Sequence, residues 1–348
     1  MRVCTHLISG ARCCKETMTT HAEIVARRLT QVYEARSPQQ KRELSDLRLI
    51  LFSDLHKGQR DGADDFHACV PTYLAALGYY WEQGFELFLI GDIEELWENS
   101  PQPVIGAYQD VLNREKVFAE ARQPSRYARF VGNHDDMWYD TQKAQAHLGP
   151  YRAGAAILEG LRLEVNDQGQ RLGELFFVHG HQGSLDSDRL ARLSAWLVRH
   201  LWRPIQRMTR IPVSTPSNNF ALRQKQELAM YDYAARRPGM VLIAGHTHHP
   251  VWEGMGLQQA MAQLRDQGIA PLMDSAWLQD QVEGAVTLPA KKPCYFNTGC
   301  CSYRFGSISG LEIADGEIRL VTWQNPESPR RVEVFPPTQL RDVLARLG

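Results

Sequence analysis

From about residue 47 onward, apolar runs of four to eight residues alternate with longer stretches of helical periodicity. The runs at 47–53, 85–90, 127–131, 175–178, 241–244 and 295–297 read as strands, and most of them end in Gly or Asp. Residues 65–83 read as a helix between the first two. Strand, helix and strand repeated in this way predict an α/β core. Ahead of it, residues 20–36 carry a helical pattern, followed by a charged stretch at 37–46 that reads as a linker. Near the end, two alternating runs flank Asp315-Gly316, a hairpin signal. No internal repeat or low-complexity tract interrupts the pattern.

Composition narrows the class. At roughly 150 residues per domain, 348 residues suggest two domains, or one large α/β domain with insertions. With 43% hydrophobic and 23% charged residues, the chain has the makeup of a soluble globular protein and not of a disordered one. Lys and Arg (39) balance Asp and Glu (40), so no global basic excess argues for a nucleic-acid coat. The seven cysteines are odd in number and form no C-x-x-C, which fits neither a disulfide framework nor a zinc ribbon. No continuous apolar segment reads as a secretory signal or a membrane span, so a reducing cytoplasm is expected.

The histidines carry the chemistry. Just after five of the expected strands stand Asp54-Leu55-His56, Gly91-Asp92, Gly132-Asn133-His134-Asp135, His179-Gly180-His181 and Gly245-His246-Thr247-His248-His249. Seven of the twelve histidines fall in these blocks, which concentrates imidazole where open α/β sheets place their ligands. Taken singly, each block could be a turn, because Gly, Asn and Asp favour such positions. Five in order, each after a strand, point to a metal site. Imidazole and carboxylate without thiolate suit Mn, Fe or Zn. No phosphate-binding G-x-x-x-x-G-K-[ST] loop and no H-E-x-x-H helix is present.

The ordered set D-x-H, GD-x-x-E, GNHD, H, GH-x-H resembles the calcineurin-like metallophosphoesterase family over about residues 47–313. The run Gly91-Asp92-Ile93-Glu94-Glu95-Leu96-Trp97 is similar to the version found in UDP-2,3-diacylglucosamine diphosphatases, although His181 stands where that branch usually has Asp. The resemblance implies a four-layer α/β/β/α sandwich of two mixed sheets. It implies two divalent metals, Mn first among the candidates. Asp54, His56 and His248 would hold one metal, Asp92 would bridge, and Asn133, His179 and His246 would complete the other. A metal-bridging hydroxide would attack phosphorus, with His134 assisting the phosphoryl or leaving-group oxygen and Asp135 orienting the His134 ring. The implied reaction is hydrolysis of a phosphoester or diphosphate, with a nucleotide-linked lipid precursor as the specific substrate. A nuclease or cyclic-nucleotide phosphodiesterase on the same fold, and a scaffold without catalysis, are the alternatives. The scaffold should have lost ligands, and none is missing.

Charge is distributed unevenly. Residues 184–240 hold ten Arg and Lys against four Asp and Glu, a net of +6 that leaves −7 on the remainder. Arg189 to Arg210 share a face beside a Leu stripe, with Pro204 interrupting the helix. This is either a solvated basic face or an anion-gathering cap in which Arg199 and Arg203 bind substrate and touch a membrane surface at its periphery. No specific nucleic-acid partner is expected. The organisation that follows is a tail and helix at 1–46, a catalytic domain at 47–323 with a basic helical cap inserted at about 184–240, and an extension at 324–348. A Gln-rich insertion at 254–290 has no role legible in its sequence.

Overall fold

The computed structural model describes residues 20–121, 126–183, 220–269 and 276–348. Helix α1 (His21–Gln31) starts on a capping box: Glu23 N donates to the Thr20 hydroxyl, and Thr20 N donates to the Glu23 carboxylate. Strands β1 (Gln39–Glu43) and β2 (Arg48–Phe52) follow, then α2 (Val70–Glu82), β3 (Glu86–Ile90), α3 (Pro101–Ala107), α4 (Gln109–Glu120) and β4 (Tyr127–Phe130). Next come α5 (Thr141–Leu148), β5 (Ile157–Leu158), β6 (Gly160–Asp167), β7 (Gln170–Val178), α6 (Phe220–Ala235) and β8 (Met240–Ala244). The remainder comprises β9 (Val251–Trp252), β10 (Met255–Gly256), α7 (Leu257–Asp266), α8 (Ala276–Glu283), β11 (Tyr295–Asn297), β12 (Ile308–Ala314), β13 (Glu317–Gln324), β14 (Arg330–Glu333), β15 (Thr338–Gln339) and α9 (Leu340–Ala345). All six strands expected from the apolar runs are present.

Two mixed sheets result. One runs β1-β6-β7-β8-β11-β9-β10, and the other β14-β13-β12-β2-β3-β4-β5 with β15 beside β13. Side-chain alternation fixes how they stack. In β2, Leu49 and Leu51 face a core shared with Phe177, Ile243 and Leu163 of the first sheet, whereas Ile50 and Phe52 face Tyr73, Leu77 and Tyr80 of α2. In β3, Phe88 and Ile90 join the inter-sheet core and Leu87 and Leu89 the helix side. A strand buried on both faces must be apolar throughout, which is why these runs read as continuous rather than alternating. Helices α1 and α6 contact each other, and their Val25, Leu29, Met230 and Ala234 join the same core as the first sheet.

The topology also fixes where the five blocks meet. Strands β2, β3 and β4 are mutually parallel, and so are β7 and β8, so the three blocks of one sheet share an edge and the two of the other share theirs. Backbone bonds then lace neighbouring blocks: Asp54 N donates to Gly91 O (3.1 Å), His56 N to Asp92 O (3.0 Å) and Gly245 N to His179 O (2.9 Å).

Three segments differ from their sequence reading. The expected linker contains β1, which pairs parallel with β6 from Gln39 opposite Arg162 to Glu43 opposite Asn166. Its polar side chains suit this because β1 is an edge strand with one hydrogen-bonded neighbour. Of the expected cap, residues 184–219, with Arg199 and Arg203, lie outside the described residues. The part at 220–235 is helix α6, and it packs on the body through Met230, Tyr233 and Ala234. The 254–290 insertion supplies α7 and α8, whose Leu257 and Leu278 enter the main core.

A buried charge network ties the helix side to the edge that carries the five blocks. Lys57, fully buried after β2, donates to Glu115 of α4 at 2.6 Å, and the Tyr73 hydroxyl donates to the same oxygen at 3.0 Å. Arg129 of β4 pairs with Glu94, which also accepts from Trp138 Nε1 at 2.9 Å. Removing one partner of such a pair strands the other charge. Glu115→Ala leaves Lys57 with Glu94 Oε1 4.0 Å away, and should cost about 3–5 kcal/mol in urea unfolding. The double change Lys57→Met with Glu115→Leu should recover most of that loss. A loss below about 1 kcal/mol in the single variant would show that the network does not anchor the rim.

Candidate active site and metal centre

Backbone conformation marks the site before any side chain is considered. Asp54 (φ 53°), His56 (φ 51°), Asp92 (φ 53°), His246 (φ 72°) and His248 (φ 62°) all adopt the left-handed region. Non-glycine residues rarely do so, at a cost of order 1–3 kcal/mol each, and such strain gathers at functional sites. Five of the seven expected metal ligands carry it. Two glycines make the close approach possible. A Cβ on Gly132 would collide with the Asp92 carboxylate, and one on Gly245 would lie 2.6 Å from Asp54 Oδ2. This is the physical reason for the glycines in the GNHD and GH-x-H blocks.

The expected ligands form two clusters whose ligand atoms lie within 4.8 Å of one another, Asp54, His56 and His248, and Asp92, His179 and His246; a third such cluster, His56, Glu95 and His134, shares His56 with the first. In the first, His248 Nε2 lies 3.3 Å from Asp54 Oδ1 and 3.1 Å from His56 Nε2. In the second, His179 Nε2 lies 3.1 Å from Asp92 Oδ2. His56 Nε2 is 3.9 Å from both Asp54 Oδ1 and Asp92 Oδ2, so the clusters adjoin. Asp54 Oδ1, Asn133 Oδ1 and His179 Nε2 are buried and have no hydrogen-bond partner among the described residues. Converging lone pairs without donors fit cations. The expected ligands Asp54, His56, Asp92, His179, His246 and His248 therefore come together as two groups, with the buried Asn133 amide on the adjacent loop.

The surroundings orient these atoms. His179 Nδ1 donates to Ile90 O at 2.8 Å, which presents Nε2 to the site. Asp54 Oδ2 accepts from His246 N at 2.9 Å and from Ser53 Oγ, leaving Oδ1 facing inward. Thr247, between the two terminal histidines, donates to the buried Glu227 of α6, which also accepts from Asn297 Nδ2 at 3.3 Å. Burial raises the Glu227 pKa to about 7 against these donors. Burial disfavours charge on Asp92, yet the imidazoles of His179 and His134 hold its pKa well below the usual carboxylate range. Burial pushes His246 well below 6.5, toward the neutral form that binds metals, and the nearby His179 adds to this.

A residue whose role the sequence left open organises the surroundings of His134. Glu95 Oε2 accepts from His134 Nδ1 at 2.6 Å and from His56 Nδ1 at 3.0 Å. The indole of Trp97 stacks on the His134 ring at 4.1 Å between centroids and 21° between planes. Asp135, expected to orient that ring, does something else: it accepts Gly132 N (2.6 Å) and Ile93 N (3.0 Å), so it braces two loops. A carboxylate one residue after His134 is turned into its own loop, whereas the neighbouring Glu95 loop faces the ring. The spacing GD-x-x-E was the available signal for Glu95. His181 and His249 sit outside both close groups, and burial lowers the pKa of each to about 3.

Burial opposes charge on His134, but Glu95 and Asp92 outweigh it and raise its pKa to about 9 from 6.5. In the metal-free chain this charge adds stability that is complete below about pH 6.5 and is lost as pH rises through about 9. Glu95→Gln should flatten that decline when unfolding midpoints are compared between pH 6 and 9.5. An unchanged profile would mean that Glu95 does not hold the charge.

The profile of the family described as Calcineurin-like phosphoesterase matches residues 47–250, which include all five blocks. No curated protein matches the chain. Among solved structures, a dimetal phosphatase from Danio rerio is 9% identical over 83% of this chain and 99% of that one, with a TM-score of 0.37. GAP50, the anchor in the inner membrane complex of Plasmodium, is 11% identical over 87% of this chain and 95% of that one, with a TM-score of 0.33. With more than half of its length matched, the chain belongs to the calcineurin-like phosphoesterase family and is a metal-dependent phosphoesterase.

Proposed function

We propose that the chain hydrolyses a phosphoester or diphosphate bond with two divalent cations, and that a nucleotide-linked lipid precursor is the substrate that best fits its motif. The observation that carries the dinuclear reading is the pair of adjoining ligand groups with orphaned inward atoms on Asp54, Asn133 and His179. Asp54, His56 and His248 would hold one cation, Asn133, His179 and His246 the other, and Asp92 both. When bound, the cations supply positive charge against phosphoryl oxygens and acidify water near neutral pH. Oxygen and imidazole ligands without thiolate support Mn, with Fe and Zn next.

The chain itself supplies orientation and a proton. Glu95 fixes Nδ1 of His134 and Trp97 fixes its plane, while the backbone His134 N donates to Asp92 Oδ1 at 2.8 Å and so ties the loop that carries the ring to the carboxylate between the groups. His134 Nε2 makes no hydrogen bond among the described residues and is the atom available to a phosphoryl or leaving-group oxygen. The charged imidazole would donate that proton at neutral pH. Arg199 and Arg203, outside the described residues, remain the proposed substrate-gathering groups in a cytoplasmic enzyme working at a membrane surface. No described helix is long and apolar enough to cross a membrane.

His134→Ala should lower kcat by about 10²–10⁴ while metal content stays near that of the parent. Loss of both metals in that variant would contradict the role. Asp92→Ala should instead empty at least one site by elemental analysis. A panel of a UDP-linked lipid, a cyclic nucleotide, single-stranded DNA and a phosphomonoester, assayed with Mn, should show the highest kcat/KM for the first. Higher turnover of DNA or of the cyclic nucleotide would replace that substrate assignment.

A further inference from the structure

The backbone that leaves β11 passes beneath Asp54 and then opens outward. Cys301 N and Ser302 Oγ both donate to Asp54 O, at 3.3 and 3.1 Å, and the Tyr303 hydroxyl donates to His248 O at 3.3 Å. Tyr303 thus touches the rim of the first ligand group. Its residue also lines a cleft of about 210 Å³ between α8 and the turn that follows β13. The Trp277 ring of α8 meets the Tyr303 ring edge-on, 5.8 Å between centroids. Phe305 stands at the cleft 71% exposed, the most exposed large hydrophobic side chain described.

The polar lining is as informative as the rings. Arg304 and Arg330 line the cleft and form no ion pair among the described residues, while Asp280 and Asn325 offer an acceptor and an amide. Uncommitted guanidinium groups beside an exposed aromatic ring suit a ligand that is both flat and anionic. An acyl chain would strip water from these polar groups without replacing it. The volume is below the ~300–1,000 Å³ typical of pockets for whole drug-sized ligands, so the cleft would take one portion of a larger molecule.

We propose that this cleft is a subsite for a planar heteroaromatic ring joined to phosphate, as in a nucleoside phosphate, and that it places such a substrate's phosphorus at the neighbouring metal rim. The ring stacks against Phe305 and the Trp277–Tyr303 wall, its edge meets Asp280 and Asn325, and the two arginines neutralise phosphate oxygens. The subsite deepens the proposed phosphoesterase reading and rests on it for its catalytic meaning. Its ligand specificity stands on the cleft alone.

Calorimetry on the full chain loaded with Mn separates the two. Thymidine 5′-monophosphate should bind at least about tenfold tighter than 2-deoxyribose 5-phosphate, which has the same phosphate but no ring. Phe305→Ala, at an exposed position, should shrink that gap about fivefold or more and leave the binding of the ringless phosphate within about twofold, whereas Arg304→Ala, which removes a phosphate partner, should weaken both ligands alike and keep the gap. Equal affinity for the two ligands, no measurable nucleotide binding, a gap that survives Phe305→Ala, or unchanged binding of both phosphates in Arg304→Ala would overturn the subsite. In parallel, thymidine 5′-(p-nitrophenyl phosphate) should show a higher kcat/KM than methyl p-nitrophenyl phosphate. Failure to cleave either diester would overturn the hydrolase reading, while the calorimetric gap would still decide the cleft.

Discussion

Everything at the rim follows from two carboxylates buried side by side. Asp54 and Asp92 are shut away from water at the ends of neighbouring parallel strands, and one imidazole nitrogen, His56 Nε2, lies 3.9 Å from both. Neutralising them by protonation is the usual outcome of burial. Here the imidazoles of His179, His248 and His134 hold both in the charged form, with Asp54 at about 2. Negative charge held in a dry place is a standing attraction for cations, and the donor set around it is that of a metal centre.

The fold supplies what such an arrangement needs. Two sheets packed through Leu51, Phe88, Phe177 and Ile243 set the edges of β2, β3 and β4 against those of β7 and β8. Backbone strain at five ligand positions is tolerated because the loops are overdetermined by cross-block bonds and by buried pairs such as Arg129 with Glu94 and Lys57 with Glu115. Glycines at 132 and 245 allow side chains of the neighbouring blocks to approach. Glu95 then connects two parts of the rim, because the same oxygen accepts from His56 of the first ligand group and from His134, the proposed acid.

Much of this was legible in the chain. Runs buried on both faces announce strands such as β2 and β3, and polar residues directly after strands announce the rim. What escaped is instructive. Strand β1 is polar and short, and only its pairing with β6 makes it a strand, so no local pattern could reveal it. The role of Asp135 was misread because sequence adjacency to His134 says nothing about direction, and its carboxylate turns back on Gly132 and Ile93. Trp97 on the His134 ring, and the meeting of Trp277 with Tyr303, depend on long-range packing that spacing does not encode. The positive φ values at Asp54 and Asp92 were equally invisible, since aspartate in a turn adopts several conformations.

The cleft beside Tyr303 and the metal rim divide the labour of recognition and chemistry, but the centre of the account is the dinuclear site. Its most direct test is the metal content of the full chain after loading with Mn(II) and desalting, read by elemental analysis. The account predicts about two equivalents per chain, one for each ligand group around Asp92. One equivalent or none would contradict it.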